Sequence, residues 1–264
     1  MGSYGRGMAE IRVGVVGAGG RMGTVVCAAV AADPRLELVA AVDPHATGEE
    51  RSGVRVAGEP RALADAGAQV VVDFSVLDAS RTTLPWLALH GMHAVVGTTG
   101  FTAADHEALR QAFSGSACLV VPNFAISAVL MMRFAEMAAP FFDTAEIIEL
   151  HHDAKIDAPS GTAVATAERM AAASSAWAPD PTTHETIEHA RGGVGPAGIR
   201  MHAVRMRGMV AHQEVILGAA GQTLTIRQDS YDRASFMPGV VLACSRVAEL
   251  PAGVTVGLDA ILGI

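Results

Sequence analysis

The feature that most constrains this chain is the junction near its start. A short β-branched run, Ile11-Arg-Val-Gly-Val-Val16, passes directly into Gly17-Ala-Gly-Gly-Arg-Met-Gly23 and then into helix-like sequence through about Ala32. This pattern reads as strand, tight glycine turn, helix. Asp33-Pro34 stops the helix, and Leu36 to Val42 reads as a second strand ending at Asp43, which makes a βαβ unit of about 33 residues. A turn that brings a pyrophosphate against the N–H groups of a helix start needs residues without Cβ where the chain bends, where phosphate approaches and where helix packs on strand. Glycines at 17, 19, 20 and 23 meet that need, although Met22 breaks the G-x-G-x-x-G spacing. Asp43, 26 residues beyond Gly17, stands where an acid can accept hydrogen bonds from ribose hydroxyls. A dinucleotide is the favoured ligand, and a plain packing turn is the alternative.

The same alternation continues. Apolar runs at Gln69 to Phe74, Met92 to Gly97 and Ala117 to Val121 are separated by helical patterns around Asp78 to His90 and Thr102 to Phe113. Strands alternating with helices imply a Rossmann-like, doubly wound parallel sheet over residues 1–125. After Phe124 the rhythm changes: a helix-like segment to Pro140, a strand from Ala145 to His152, a helix from about Gly161 to Ala173, and a Pro-, Gly- and Thr-rich loop from Trp177 to Gly198. Three strand-like runs then follow with no helix between them, Ile199 to Arg205, Val210 to Gly218 and Gln222 to Gln228. Residues 126–233 therefore read as an α+β domain with a mainly antiparallel sheet. The stretch 234–264, helical to about Glu249, is expected to return to the first domain.

Composition removes several function classes. Half of the 264 residues are hydrophobic and 17% are charged, so the chain can bury enough apolar surface to fold. A net charge of −8 without a basic run argues against nucleic acid and anionic lipid as partners. Apolar stretches near nine residues fall short of the roughly 20 that a membrane span needs. The opening MGSYGRGMAE lacks the apolar middle of a signal peptide, and Cys27, Cys118 and Cys244 form no metal or disulfide spacing, so a cytoplasmic location is expected. Eighteen of the 19 basic residues are Arg, and Lys155 is the single Lys.

That lysine lies in the richest segment, His151-His-Asp-Ala-Lys-Ile-Asp-Ala-Pro-Ser-Gly-Thr162. In an extended strand His151 and His152 point to opposite faces, so at most one enters a given cleft unless the strand ends there. Ser160-Gly161-Thr162 opens a helix and offers N–H groups and hydroxyls to an anion. Two imidazoles, one ammonium and a helix start make a local positive site on an acidic protein, with core and cap residues as the bland alternative. No third ligand stands at metal spacing, and no metal is expected. Gly97-Thr98-Thr99-Gly100 and Pro122-Asn123-Phe124 both fall at carboxyl ends of strands, the edge where doubly wound sheets bind ligands.

These residues resemble a known family. Val13-Gly-Val-Val-Gly-Ala-Gly-Gly-Arg-Met-Gly23, Val96-Gly-Thr-Thr-Gly-Phe101, Pro122-Asn-Phe124 and above all Glu149-Leu-His-His-Asp-Ala-Lys-Ile-Asp-Ala-Pro-Ser-Gly-Thr-Ala163 are similar to 4-hydroxy-tetrahydrodipicolinate reductase, also called dihydrodipicolinate reductase. The resemblance runs from about Ile11 onward and includes Gly208 to Gly218, Asp229 to Phe236 and Gly257-Leu258. It implies reduction of a cyclic dicarboxylate by NADH or NADPH, with loss of water, in diaminopimelate and lysine synthesis. Carried over by position, His151 matches the proton donor/acceptor and Lys155 the proton donor. His152, Ser160, Gly161 and Thr162, with Thr99, match the substrate site. Gly17, Ala18, Gly19, Gly20, Arg21, Met22, Asp43, Gly97, Thr98, Thr99, Val121, Pro122, Asn123 and Phe124 match cofactor contacts. The resemblance also implies that residues 126–233 are the α+β substrate-binding and oligomerisation domain, with a homotetramer built through its sheet. Three positions differ from common members: Val121, Ser127 and Pro44.

The chemistry of the residues agrees. Hydride arriving at an electron-poor ring carbon pushes charge toward a conjugated position, which then needs a proton from an acid of near-neutral pKa. A Lys can be tuned to give that proton, whereas Arg stays protonated. Asp43 favours NADH by repelling a 2′-phosphate, Arg21 could offset it, and dual use with a modest NADH tilt is expected. Another nicotinamide oxidoreductase of similar fold shares the glycine turn without predicting the His-His-x-x-Lys segment. A non-catalytic NAD(P)-sensing module would bind the dinucleotide and consume none.

Overall fold

In the computed structural model, which describes residues 10–264, the run Ile11–Val16 forms strand β1 and Arg21–Ala32 forms helix α1. Of the opening ten residues read as lacking a signal peptide, residues 1–9 lie outside those described. Gly17 turns the chain with φ +78°, a conformation that disfavours any Cβ. Its N–H and that of Ala18 donate to Val42 O at 2.9 and 3.2 Å, which ties the turn to the neighbouring strand. Asp33 caps α1 with extended backbone, as the following proline demands.

The chain continues through β2 (Leu36–Val42), β3 (Glu50–Arg51), β4 (Val54–Ala57), α2 (Arg61–Asp65), β5 (Val70–Asp73), α3 (Leu77–Leu89), β6 (His93–Val96), α4 (Ala103–Ala112) and β7 (Ala117–Val120). Next come α5 (Ile126–Ala138), β8 (Thr144–His151), α6 (Gly161–Ala173), β9 (Gly193–Val194), β10 (Arg200–Arg205), β11 (Ala211–Ala219) and β12 (Gln222–Ser230). The last elements are α7 (Met237–Arg246), β13 (Gly253–Val256) and α8 (Asp259–Leu262). Two compact units result: one takes in the described residues up to Phe124 together with Phe236–Ile264, the other is Ala125–Ser235.

The first unit is built on an eight-stranded sheet in the order β13-β7-β6-β5-β1-β2-β4-β3. All of its pairs are parallel except β3 with β4. Every residue of β5 and β7 is buried, because helices cover both faces of a parallel sheet and their strands must be apolar on both. Fully buried Leu84 and Leu87 of α3 and Phe113 just after α4 pack into this core. Each such side chain contributes about 1.5–3 kcal/mol of transfer free energy. The order reverses at β1, which has β2 on one side and β5 on the other, so the switch point of the sheet lies between β1 and β5.

Two parts of this sheet escape a periodicity reading. The β3–β4 hairpin is short and charged, and β13 is a four-residue strand between Pro251 and Gly257. Even so, β13 pairs in parallel with β7 from Gly253 opposite Ala117 to Val256 opposite Val120. The returning segment thus contributes a strand as well as a helix.

The second unit carries a five-stranded sheet in the order β12-β11-β8-β10-β9. Three of its pairs are antiparallel, and β8 pairs with β10 in parallel. The parallel pair is possible because α6 and the long segment after it supply the crossover that two parallel strands require. On one face of the sheet Ile147 and Glu149 of β8 lie opposite Val215 and Gln213 of β11, and all four are buried. Among the described residues, no helix is long and apolar enough to cross a membrane.

Candidate active site

In the first unit the candidate cofactor residues share one edge of the sheet, because each follows the carboxyl end of a strand. Gly17 to Met22 follow β1, Asp43 follows β2, Gly97 to Thr99 follow β6, and Val121 to Phe124 follow β7. Asp43 is nearly buried; its Oδ2 accepts the N–H of Gly19 at 3.0 Å and its Oδ1 accepts that of His45 at 2.9 Å. A Cβ on Gly19 would come within 2.5 Å of Ala46 Cβ and 2.9 Å of Asp43 Oδ2, and one on Gly23 within 2.0 Å of Gly17 O. Gly20 caps α1 without a side chain and is exposed with Gly19 and Arg21, while Ala18 is buried and Met22 half-buried. A bare helix start beside a strand-end carboxylate fits a dinucleotide: backbone N–H groups for phosphate, Asp43 for ribose.

The other loops show which candidates can use their side chains. Thr98 is buried and its hydroxyl donates to Asp73 Oδ1 at 3.4 Å, whereas Thr99 is exposed. Val121 is buried and donates its N–H to Val96 O at 2.8 Å, Pro122 is exposed, and Asn123 is half-buried. Phe124 is buried, with its ring 5.4 Å from that of Phe74. Two residues missed by sequence reasoning organise this edge. Asp73, fully buried, also accepts from Ser75 N–H at 2.8 Å and from Ser80 Oγ at 2.7 Å. Phe74 fills the space a side chain on Gly97 would need, with its ring 2.2 Å from that Cβ position, and its carbonyl lies 2.6 Å from a Cβ on Gly17.

In the second unit β8 ends at His151, so His151 is partly buried at the strand end while His152 lies outside the strand and is exposed. Glu149, two residues earlier and therefore on the same face, is almost completely buried. Its Oε2 accepts His151 Nδ1 at 2.6 Å, and its Oε1 accepts the N–H of Ser160 at 3.0 Å. Arg205, opposite His151 on β10, donates Nη1 to Oε2 at 2.8 Å and Nη2 to Oε1 at 2.7 Å. Burial alone would push the Glu149 carboxyl up, but the bonds from Arg205 and His151 outweigh it and hold it below the ordinary glutamate value. Burial pushes the His151 imidazole down; Glu149 opposes that shift, and the positive charges of Lys155 and Arg205 add to it.

Lys155 follows in the loop, its Nζ 2.7 and 2.8 Å from the two carboxylate oxygens of Asp157. That pairing holds the Asp157 carboxyl below its ordinary range. Ser160 is buried and caps α6 by accepting the N–H of Ala163 at 3.2 Å; Gly161 is exposed and Thr162 half-buried. His151 and Ser160 are thus bonded to Glu149, Lys155 is linked to Arg205 through Asp157, and His152 is exposed beyond the strand end. Neither Glu149 nor Arg205 was singled out in the sequence; an acid two residues before a histidine in a strand was the available signal for the first. No cluster of three or more potential metal ligands occurs among the described residues.

Comparison with known proteins gives the affiliation. Residues 11–124 match the model of the dihydrodipicolinate reductase N-terminus, and residues 127–262 that of its C-terminus. The chain is 49% identical to a 4-hydroxy-tetrahydrodipicolinate reductase of Corynebacterium urealyticum over 96% of its length and 99% of the relative's. It is 47% identical to the reductase of Mycobacterium ulcerans over 96% of its length and all of the relative's. A solved structure of dipicolinate-bound dihydrodipicolinate reductase from Paenisporosarcina sp. TG-14 superposes with a TM-score of 0.87 at 37% identity, over 96% of this chain and 100% of that one. On these matches, spanning both units, the chain belongs to the nicotinamide-dependent 4-hydroxy-tetrahydrodipicolinate reductase family.

Proposed function

We propose that this chain reduces 4-hydroxy-tetrahydrodipicolinate to tetrahydrodipicolinate with loss of water, using NADH or NADPH, in diaminopimelate and lysine synthesis. The observation that carries this reading is the buried Glu149 carboxylate holding His151 in the same segment as the chain's single lysine. The bound nicotinamide supplies a hydride. One proton must accompany it while one water leaves, and the chain's own residues provide for that proton. Glu149, an acceptor when ionised, accepts a hydrogen bond from Nδ1–H of His151, which keeps that proton in place and leaves Nε2 as the atom that gives or takes protons. The Lys155 ammonium donates to the ring position where charge develops, with Asp157 steadying it in the ground state. Gly161 and Thr162 at the start of α6 receive a substrate carboxylate, Ser160 caps that helix, and His152 and Thr99 complete the substrate contacts.

The name of the Paenisporosarcina relative, dipicolinate-bound, supports a planar ring dicarboxylate as the ligand class. Cofactor use is proposed to be dual with a modest tilt to NADH. Asp43 favours ribose hydroxyls, Arg21 is exposed and able to swing to a 2′-phosphate, and Pro44 and His45 bring no guanidinium. A second guanidinium near the turn, Arg51, already donates Nε to Ala18 O at 3.1 Å and pairs with Glu49 at 2.6 Å. The family resemblance also carries the proposals of a homotetramer and a cytoplasmic location. The test supplies pyruvate, aspartate semialdehyde and the preceding synthase and follows absorbance of NADH or NADPH. Oxidation that depends on all three is expected; none, or oxidation without them, refutes the reading.

A further inference from the structure

Resting on that reading of His151 and Lys155, we propose that Glu149 and Arg205 form a positioning pair that sets the imidazole, the lysine loop and the start of α6 in one arrangement. Glu149 is 1% exposed, and a carboxylate in such a place is costly unless every lone pair is used. Here four donors use them: His151 Nδ1 and Arg205 Nη1 on Oε2, Ser160 N–H and Arg205 Nη2 on Oε1. Arg205 Nη2 also donates to the carbonyl of Asp157 at 2.7 Å, and Asp157 in turn grips the Lys155 ammonium. One carboxylate and one guanidinium therefore join the strand carrying the imidazole, the loop carrying the ammonium and the N-cap of the helix.

The geometry explains the residue types. An ionised carboxylate only accepts, so it fixes the imidazole proton on Nδ1; a Gln there could present its amide N–H₂ and reverse the tautomer. The guanidinium fork makes two parallel bonds to Glu149 and a third to a carbonyl, which an ammonium cannot do from one position. On β11 the buried Gln213 lies opposite Glu149 and donates Nε2 to Thr166 Oγ1 of α6 at 2.8 Å, while Thr166 donates to Thr162 O at 2.7 Å. A second chain of bonds thus ties the same helix to the same place on the sheet.

The test uses the full chain with its substrate generated in situ. Glu149→Gln is expected to lower kcat by on the order of 10²-fold, as loss of an orienting carboxylate does elsewhere, with NADH Kd changed less than about twofold. The groups facing the imidazole are Glu149 on its own strand, Arg205 on β10 and Lys155 in the following loop, with Ala211 opposite on β11. Removing the one negative charge among them should move the imidazole limb of the kcat profile to lower pH. A kcat within twofold of wild type, or a reduced kcat with an unmoved limb, overturns the positioning role. Should Glu149→Gln not fold, nitrogen NMR of wild-type His151 decides: the Nδ1–H form is expected, and the Nε2–H form overturns the proposal. Wild type failing to reduce the substrate would instead refute the functional reading on which this rests.

Discussion

Asp43 Oδ2 accepts the backbone N–H of Gly19 at 3.0 Å, so the acid that follows β2 shapes the glycine turn as well as being the residue proposed to read the ribose. Asp43→Ala should act on both. Binding of NADH is expected to weaken more than binding of NADPH, because the 2′-phosphate no longer meets a carboxylate, and the NADH preference should erode. Arg21→Ala should do the opposite and weaken NADPH more, by the roughly 1.5–3 kcal/mol of one charge-assisted bond at most. Values of kcat/KM for both cofactors in wild type and the two variants check this. A wild-type preference for NADPH above about tenfold, or about 1.4 kcal/mol, would show that Asp43 does not set the choice.

Gly23→Ala tests the turn itself. The added Cβ would fall 2.0 Å from the carbonyl oxygen of Gly17, a backbone atom that cannot move without opening the turn. A stability loss of about 1–3 kcal/mol is expected, with a fall in cofactor affinity of about tenfold or more. Calorimetry and NADH fluorescence titration would measure the two, and unchanged affinity would remove the turn from the cofactor site.

Gly161→Ala probes the helix start in the second unit. A Cβ there meets nothing within 4 Å, so the fold should tolerate it, whereas an anion seated on the N–H groups would be crowded. The substrate KM should rise several-fold while the KM for NADH stays within a factor of two. Equal rises in both would show that the helix start does not receive the substrate.

Much of the first unit was legible because its signals are local. A glycine turn, an acid at a strand end and loops at carboxyl ends of apolar runs are all properties of neighbouring residues. Asp73 and Phe74 were hidden inside the run Gln69 to Phe74, where nothing local separates a core residue from one that organises adjoining loops. The β3–β4 hairpin is too short and charged, and the four-residue β13 too short, for periodicity to show. In the second unit His151, Lys155 and the α6 start lie within twelve residues and were visible together. Arg205 is 56 residues from Glu149, and the pair exists because β8 and β10 run parallel with Arg205 opposite His151. That register depends on a crossover through a Pro- and Gly-rich segment whose path no local pattern gives.

Acid should destabilise the protein through two partly buried imidazoles. Burial lowers both His93 and His151 below the ordinary 6.5, and His93 Nδ1 accepts the N–H of Ala117 at 3.1 Å, a bond that protonation removes. The unfolded chain then binds more protons than the folded one in the window below pH 6.5, so stability is fully present above that pH and falls as pH drops toward the folded values. Denaturant titrations from pH 8 to pH 5 should show this decline, and His151→Gln should make it shallower. An equally steep decline in that variant would remove His151 as a contributor.

Lys155, the only lysine of the chain, is the proposed source of the proton that follows hydride. Lys155→Ala and Lys155→Arg, assayed in the coupled system beside wild type, test it most directly. Arginine keeps the charge and can still face Asp157, but it does not release a proton near neutral pH. Both variants should lose about 10²- to 10⁴-fold in kcat while their NADH Kd stays near that of wild type. A near-normal kcat in either variant, above all in Lys155→Arg, would show that the proton comes from another group.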